Sequence, residues 1–477
     1  MRKLIHFEAL ALLAISLPAQ QPTTAFVGVV VDGDGQAVKD AEVVVTRAEG
    51  RGFHCLDLAL RHSWRPLTRT RVDKKGRFGL QVPLGLVLRV EVDHPGHAVW
   101  RREELVPGGE LRIELGPPCS FRGRLLLASS GEGTTGHLRL WDEHHTELCR
   151  GRTDAKGNFV FERLPACRFT CDVEPDSAMS TDWWTATLTP DAPVEHDFRL
   201  AAGALLQGTV TDAATGEPIA GAQVGEGWTL HKAVTTDAGG KYRLQGYGDP
   251  GRPDVQCRAS GYLRGIVNRN GLPKEPTTLD IAIERGVSVI GTVLDAAGDP
   301  CANAYVAVVS AQSNGIPWLS VRTAADGTFR CDGVDPRCNA MLLLRRDGCA
   351  TAVYALPAPA AGQIDVFKIA LASPQVVQGV VLGMENKPVP GALVSLRGTN
   401  GDRERWVATP LSWPVLGHYL GQRLVRADAH GRFAFGDVAP GSYALALGDT
   451  MDAIPDAVEV EVVAGKNVPP IELSQYQ

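Results

Sequence analysis

The chain has 477 residues, too many for one hydrophobic core, so three to five domains of about 100 to 150 residues are expected. It carries 48 basic and 54 acidic residues, a formal net charge of −6, and no basic stripe that could follow a phosphate backbone, so no nucleic-acid partner is expected. The 52 glycines and 31 prolines, with almost no helical spacing, favour a turn-rich all-β chain.

The N-terminal segment has the pattern of a secretory signal. Basic residues at positions 2 and 3 precede an apolar run over 9–17, and small and polar residues follow. We therefore predict a signal peptide over residues 1–20, with cleavage near Ala19 or Gln20. No later stretch approaches the roughly 18 to 20 apolar residues that span a bilayer. The mature chain is thus expected to lack a transmembrane segment and to be secreted, periplasmic or at the cell surface.

Two short phrases recur along the rest of the chain. The first places a glycine inside an apolar strand, and these glycines lie 95, 85, 83 and 88 residues apart: Gly28, Gly123, Gly208, Gly291 and Gly379. The second is a polar turn with a glycine two residues before an aromatic residue, and it stands at VDKKGRF (72–78), TDAKGNF (153–159), TDAGGKY (236–242), TAADGTF (323–329) and ADAHGRF (427–433). The chain is therefore predicted to be a tandem array of five units.

Each unit has the pattern of a β-sandwich. Residues after the polar turn alternate, so Phe433 and Phe435 fall on one face of a strand and are expected in a core. A unit of about 85 residues with roughly seven short strands, separated by turns every 8 to 12 residues, is typical of this architecture. We predict five seven-stranded sandwiches, the second of them degenerate, over residues 24–116, 117–201, 202–285, 286–372 and 373–477.

The repeated phrases resemble those of the carboxypeptidase regulatory-like family. GTVTDAATGEPIAGAQV at 208 and DAHGRFAFGDVAPGSYAL at 428 are close to typical phrases of that family. The resemblance covers nearly the whole mature chain and is strongest in units three, four and five. It implies a Greek-key, transthyretin-like sandwich, similar also to the B-type repeats of collagen-binding adhesins. It further implies a non-catalytic role, without a cofactor.

The segments between units are short. They are LGPPCSFRG at 115, LAAGALLQG at 200, IERGVSVIG at 283 and LASPQVVQG at 371. None is a Gly/Ser coil or a long proline spacer, so neighbouring units are expected to touch and to limit each other's motion. If the termini of each unit lie at opposite ends, the array forms a rod on the order of 150 Å, from strands of about 20 Å plus loops. A folded-back array is the alternative.

The candidate for metal chemistry is the His-x-x-Glu sequence at His144 and Glu147. It resembles a zinc-ligand pair of the metallocarboxypeptidases, whose accessory domain the repeats resemble, and imidazole and carboxylate suit zinc. The pair nevertheless stands just before a repeat turn, without the catalytic α/β domain of those enzymes. A solvated hairpin is the favoured interpretation, and we predict no enzymatic activity. His94 and His97, in DHPGH, are likewise assigned to a turn that recurs in the units.

The ten cysteines divide unevenly among the units. Units two and four hold four each, which an exported protein can pair within the unit: Cys119, Cys149, Cys167 and Cys171, and Cys301, Cys331, Cys338 and Cys349. Three pairings are open in each unit. The alternative is that these thiols are small core residues, because Cys301 replaces Ile219 of unit three and Cys257 stands where unit one has Val92.

Tryptophans provide the one indication of ligand binding. Every unit has at least one between its second strand and its polar turn, and units one and five carry long insertions there. Long loops on a repeated scaffold are where specificity is added. Trp64, Trp406 and Trp413 are the candidate contacts, because an exposed indole stacks on the apolar face of a sugar ring. Packing within a core or along an edge is the alternative.

These features favour an exported, non-catalytic modular protein that acts as a spacer or protein-binding array at the cell envelope. The alternative function is carbohydrate binding through the loop tryptophans. The expected partner is an extracellular or envelope protein or a polysaccharide.

Overall fold

The computed structural model describes residues 22–48, 66–143, 146–179, 183–227, 230–248, 254–268, 276–309, 319–337, 340–356, 363–398, 422–448 and 457–474. Within these ranges the regular structure is almost entirely β, with one short 3-10 turn at Met384–Asn386. The strands form ten small sheets, which pack face to face in five pairs.

The strands of each sandwich follow one another along the chain. The first sandwich contains β1 (Thr23–Asp32), β2 (Glu42–Ala48), β3 (Thr68–Arg71), β4 (Arg77–Pro83), β5 (Val87–Asp93), β6 (Trp100–Leu105) and β7 (Glu110–Leu115). The second contains β8 (Cys119–Leu127), β9 (Gly136–Asp142), β10 (Glu147–Arg152), β11 (Asn158–Leu164), β12 (Arg168–Pro175), β13 (Trp184–Thr187) and β14 (Val194–Leu200). The third contains β15 (Ala204–Asp212), β16 (Gln223–Glu226), β17 (His231–Thr235), β18 (Lys241–Tyr247), β19 (Asp254–Arg258), β20 (Gly265–Asn268), β21 (Thr277–Thr278) and β22 (Ile281–Ile283).

The last two sandwiches complete the array. The fourth contains β23 (Val287–Leu294), β24 (Tyr305–Val309), β25 (Leu319–Arg322), β26 (Thr328–Val334), β27 (Met341–Arg345), β28 (Ala352–Ala355) and β29 (Gln363–Ala370). The fifth contains β30 (Gln375–Leu382), β31 (Leu393–Gly398), β32 (Gln422–Arg426), β33 (Arg432–Val438), β34 (Gly441–Leu447), β35 (Val458–Val462) and β36 (Ile471–Ser474).

All five sandwiches share one strand order. In the first, a three-stranded sheet β4-β1-β7 faces a four-stranded sheet β3-β2-β5-β6, and β1 is antiparallel to β4 but parallel to β7. The third sandwich differs only in that its last strand is divided into β21 and β22. The predicted fold class, an all-β tandem array of Greek-key sandwiches, is confirmed. Because the first and last strands run in parallel, the chain enters each sandwich at one end and leaves at the other.

One hydrophobic cluster fills the space between the two sheets of each sandwich. In β11, Phe159 and Phe161 point into the cluster, whereas Val160 between them points to solvent and is 60% exposed. Phe433 and Phe435 are both buried in the fifth cluster, as their alternation predicts. Burial of this apolar surface, at about 25 cal/mol per Å², is the main favourable term for each sandwich.

An aspartate closes the polar turn of four sandwiches. In the first, the Oδ1 atom of Asp73 accepts hydrogen bonds from the backbone amides two and four residues further on. These bonds lower the pKa of Asp73 below its ordinary value. The same pair of bonds is made by Asp154, Asp237 and Asp428. Gly76 completes the first turn with a φ of 73°, a conformation that favours glycine.

The same backbone hydrogen bond ties each linker to the sandwich that it leaves. The donor follows the turn between the fifth and sixth strands, and the acceptor carbonyl lies just past the last strand: Ala98 to Gly116, Met179 to Ala201, Leu263 to Glu284 and Ala350 to Ala372. The N···O distances are 2.7 to 3.0 Å. The first residues of all four linkers are therefore fixed to the preceding sandwich.

A β-bulge in the fourth strand of the second to fifth sandwiches carries one residue with positive φ. These residues are Arg163, Gly246, Gly333 and Asp437. The first three face the preceding sandwich. The carbonyl of Arg163 accepts a hydrogen bond of 2.9 Å from the amide of Val99. The two bulge glycines lie so near the backbone of Ala178 and Tyr262 that a Cβ atom would come within 3 Å of it.

The bulge of the fifth sandwich contacts the first sandwich. The amide of Gly436 donates a hydrogen bond of 2.8 Å to the carbonyl of Gly85, and the carboxylate of Asp437 pairs with the guanidinium of Arg47. Val106, in the loop before β7, packs against the fifth core. The array is therefore folded back far enough for its first and last sandwiches to touch, in agreement with the folded-back alternative.

Candidate interaction surfaces

Glu147 is held in an ion pair at the edge of the second sandwich. Its carboxylate accepts two hydrogen bonds from Arg150, at 2.8 and 2.9 Å, and its backbone carbonyl accepts one of 2.8 Å from Arg101 of the first sandwich. His144 lies outside the described residues. In the described part of the chain, no group of three or more His, Cys, Asp or Glu side chains could hold a metal ion. A metal site at His144 and Glu147 therefore stays a prediction.

His94 and His97 face each other in the turn that follows β5. Their Nδ1 atoms are 2.8 Å apart, a distance that requires one ring to donate a proton and the other to accept it. Burial, followed by the neighbouring His94, lowers the pKa of His97 below its ordinary value. Asp93 pairs with Arg163 of the second sandwich, and the Nε atom of Arg163 donates to the carbonyl of His97 at 3.5 Å. The histidine pair thus belongs to the joint between the first two sandwiches.

A buried ion pair lies where the third sandwich meets the second. Glu226 is fully buried, and its carboxylate lies 3.2 Å from the Nζ atom of Lys232. Lys232 also donates to the carbonyl of Gly246, and the amide of Gly248 donates to Glu226. This pair was not predicted from the sequence. The signal available was an acidic residue at a core-facing position of β16, two residues after the buried Val224.

The eight cysteines in the described ranges are free thiols. Cys257, Cys301 and Cys331 are fully buried in hydrophobic cores, where they take the place of aliphatic residues. Burial raises the pKa of Cys257 and of Cys331 to about 12, which keeps both sulfurs in the protonated, unreactive form near neutral pH.

The structure distinguishes among the predicted disulfide pairs. Cys149 and Cys171 lie opposite the same residue, Leu140, from the two sides, so their strands are about 10 Å apart. That separation exceeds the roughly 7 Å that a disulfide tolerates between Cα atoms. In the fourth sandwich, Cys301 and Cys349 lie in one core cluster, and burial, followed by the neighbouring Cys301, raises the pKa of Cys349 to about 11. The remaining candidates are Cys119, Cys167, Cys331 and Cys338, of which Cys338 lies outside the described residues.

The predicted ligand contacts Trp64, Trp406 and Trp413 also lie outside the described residues, so carbohydrate binding by them stays a prediction.

Two neighbouring indoles of the second sandwich point in opposite directions. Trp184, the first residue of β13, turns inward and stacks on Phe121 and His196, with ring centroids 5.4 and 4.2 Å apart. Trp183, just before it, points outward and is 68% exposed. Trp183 follows the polar turn of its sandwich, so it is not among the tryptophans that the sequence pattern singled out.

The five sandwiches and their repeated joints define a tandem β-sandwich repeat protein. Residues 206–284 and 288–372, in the third and fourth sandwiches, each match the carboxypeptidase regulatory-like domain, the family that the repeated phrases resemble. No curated protein matches the chain. In the described part of the chain, there is no helix with the length and apolar character needed to cross a membrane.

Several solved structures match the chain at low similarity. The Bacillus anthracis TIE protein is 12% identical over 75% of this chain and 76% of its own, with a TM-score of 0.18. A Streptococcal ancillary pilin is 12% identical over 55% of this chain and 99% of its own, with a TM-score of 0.21. BcpA, the major pilin subunit of Bacillus cereus, is 8% identical over 75% of this chain and 99% of its own, with a TM-score of 0.17. None of these likenesses supports a functional conclusion.

Proposed function

We propose that this chain is an exported, non-catalytic modular protein whose sandwiches serve as a spacer and interaction scaffold at the cell envelope. All five sandwiches are assigned to the carboxypeptidase regulatory-like family in this proposal, over residues 24–116, 117–201, 202–285, 286–372 and 373–477, after a signal peptide at 1–20. The observation that carries it is the joint, where the same backbone hydrogen bond fixes each of four linkers.

Fixed joints suit a scaffold because they hold binding surfaces at set distances. A flexible linker lets two attached domains adopt many separations, whereas a short linker that is hydrogen-bonded at its start removes most of that freedom. At the first joint, Arg101 adds two side-chain hydrogen bonds to carbonyls of β10, and Val99 adds a backbone bond to the bulge of β11. The loops between strands then remain free to bind an extracellular or envelope protein or a polysaccharide.

Small-angle X-ray scattering of the full chain tests whether the joints are fixed. We expect one compact shape, with a radius of gyration that increases when a Gly-Ser-Gly-Ser segment is inserted after Gly116 in the first linker. The matched control is the same insertion after Gly131, which lies in an exposed turn where an added Cβ atom would meet nothing within 4 Å. If the unmodified chain scatters like the linker variant, the joints are flexible and the scaffold proposal fails.

The location of the chain and its partner must be tested in the native host cells. Fractionation and protease treatment of intact cells should place the chain outside the cytoplasmic membrane, with a mature N-terminus near residue 20. Cross-linking in intact cells should couple the unmodified chain to an envelope component, and the Gly131 insertion variant should be coupled to the same component. The Gly116 insertion variant should give less of this cross-linked product. A chain that stays in the cytoplasm with residues 1–20 intact would contradict the export proposal.

A further inference from the structure

The outer face of the four-stranded sheet in the second sandwich carries two tryptophans. Trp141 on β9 lies opposite Thr170 on β12, which lies opposite Thr185 on β13, so the three form one row across the sheet. Their neighbours along each strand, such as Leu140, are buried in the core. Because strand residues alternate between faces, this row points away from the core.

Trp183 belongs to the same outer face. Trp184 pairs with Cys171 and packs in the core, so the residue before it points outward, and its indole is 68% exposed. Trp141 lies two strands away from it, at a lateral distance of about 10 Å. The two indoles are thus far enough apart to stack on different rings of one extended sugar chain, with Thr170 between them.

Charged side chains of both signs surround the two indoles, and one of them, Asp172, lies opposite Arg139. Arg139 pairs with Glu174 at 3.5 Å, and Arg150 pairs with Glu147 at 2.8 Å. The face therefore presents hydroxyls, guanidinium groups and carboxylates that exchange hydrogen bonds with sugar hydroxyls, without an excess of positive charge that would select an anionic polymer. Indoles provide the apolar platform for the C–H faces of the sugar rings.

The second sandwich is the one array member with an aromatic residue at this outer position. Strand register places Trp141 level with these residues of the other sandwiches: Thr46, Gly227, Val309 and Arg397. The unit whose sequence departs most from the repeat therefore differs from the others on the outer face of its four-stranded sheet, where Trp141 is half-buried, while it keeps the shared strand order.

We infer that the outer face formed by Trp141, Thr170, Thr185 and Trp183 binds a neutral polysaccharide. Such binding goes beyond the proposed scaffold function, because it assigns a ligand class to one sandwich of the array. None of these four residues is among Trp64, Trp406 and Trp413, the ligand contacts predicted from the sequence.

Retention of the purified full chain on microcrystalline cellulose and on chitin, and its mobility in gels containing soluble mixed-linkage β-glucan, test the inference. We expect binding to at least one of these polymers, weakened at least tenfold by Trp183→Ala or Trp141→Ala. Trp183→Phe should retain part of the affinity, because a smaller aromatic ring still stacks. The matched control is Val160→Ala, since Val160 is 60% exposed on the opposite sheet of the same sandwich.

Circular dichroism and thermal unfolding show whether each variant is still folded, so that loss of the binding surface can be told from loss of the fold. Quenching of tryptophan fluorescence by the soluble β-glucan gives a second readout in the unmodified chain, and Trp183→Ala should reduce it. Unchanged binding by the Trp141→Ala/Trp183→Ala double variant, or no binding of the unmodified chain to any of the three polymers, would overturn the inference. Either result leaves the scattering test of the joints unaffected, so the two proposals fail separately.

Discussion

Gly28 on β1 lies directly opposite Phe78 on β4, and the ring of Phe78 covers the space that a side chain at Gly28 would need. The same pairing occurs in the other four sandwiches: Gly123 with Phe159, Gly208 with Tyr242, Gly291 with Phe329 and Gly379 with Phe433. The glycine of the first repeated phrase and the aromatic residue of the second are therefore cross-strand partners. An aromatic ring laid across a strand glycine buries apolar area that the glycine cannot.

Gly28→Ala should destabilise the first sandwich. A Cβ atom there would lie 2.5 Å from the carbonyl oxygen of Leu111 and 2.6 Å from the Phe78 ring, so the parallel strand β7 would have to move. Overpacking of this kind costs about 1 to 3 kcal/mol. Thermal unfolding, with hydrogen exchange to locate the effect, measures it. Gly33→Ala is the control, because no atom lies within 4 Å of the position that a Cβ atom would take there, and equal melting of the two variants would contradict the explanation.

Arg47→Ala should separate the first sandwich from the fifth. The side chain of Asp437 is 2% exposed, so removal of the Arg47 guanidinium takes a charge partner away from a buried carboxylate, a change that costs up to about 3 to 5 kcal/mol. The radius of gyration from X-ray scattering should therefore increase. Arg122→Ala breaks an exposed ion pair with Glu195 inside the second sandwich and should leave the scattering unchanged. No change in Arg47→Ala would mean that the first and last sandwiches are not held by this pair.

Stability should fall as the pH drops below about 6.5, the ordinary pKa of histidine. The pKa of His97 is lowered in the folded state, so the unfolded chain binds the proton more readily, and protonation favours unfolding. The groups around His97 are His94, Asp32, Asp93 and Arg163, and two charged rings would also lose their shared hydrogen bond.

Thermal unfolding between pH 7.5 and 5 measures this dependence. The melting temperature of His97→Gln should change less with pH, because that variant lacks the histidine at the first joint. His196, whose pKa is also lowered by burial, contributes in the same direction and should retain its share in that variant. A chain whose stability rises steadily toward pH 5 would refute the assignment.

Under oxidising conditions, Cys301 and Cys349 are expected to form a disulfide. The two residues lie in the same core cluster, and a cross-link that closes a loop of this length stabilises by about 4 kcal/mol in the chain-entropy account. Peptide mapping by mass spectrometry without reductant should find the pair, and the melting temperature should fall on reduction. Cys331→Val, a change in the same core, should keep this sensitivity to reductant. Detection of a Cys149–Cys171 pair would contradict the strand register of the second sandwich.

Local features of the fold could be predicted from the sequence because their causes lie within a few residues. The Asp73 and Gly76 turn, the alternation that buries Phe433 and Phe435, and the five-unit count each follow from neighbouring side chains and backbone conformation. The role of the repeated glycines could not be predicted, because the strand opposite Gly28 is set by pairing with a segment far along the chain, at Phe78.

Amino-acid order by itself determined that this chain is an array of sandwiches with short, constrained linkers, because turn chemistry and strand alternation act locally. Tertiary structure alone decided which surfaces meet. The Arg47–Asp437 contact joins residues from opposite ends of the chain, and the shared face of Trp141 and Trp183 depends on the register of three strands. Long-range register and packing depend on the whole fold, and no short segment of sequence carries that information.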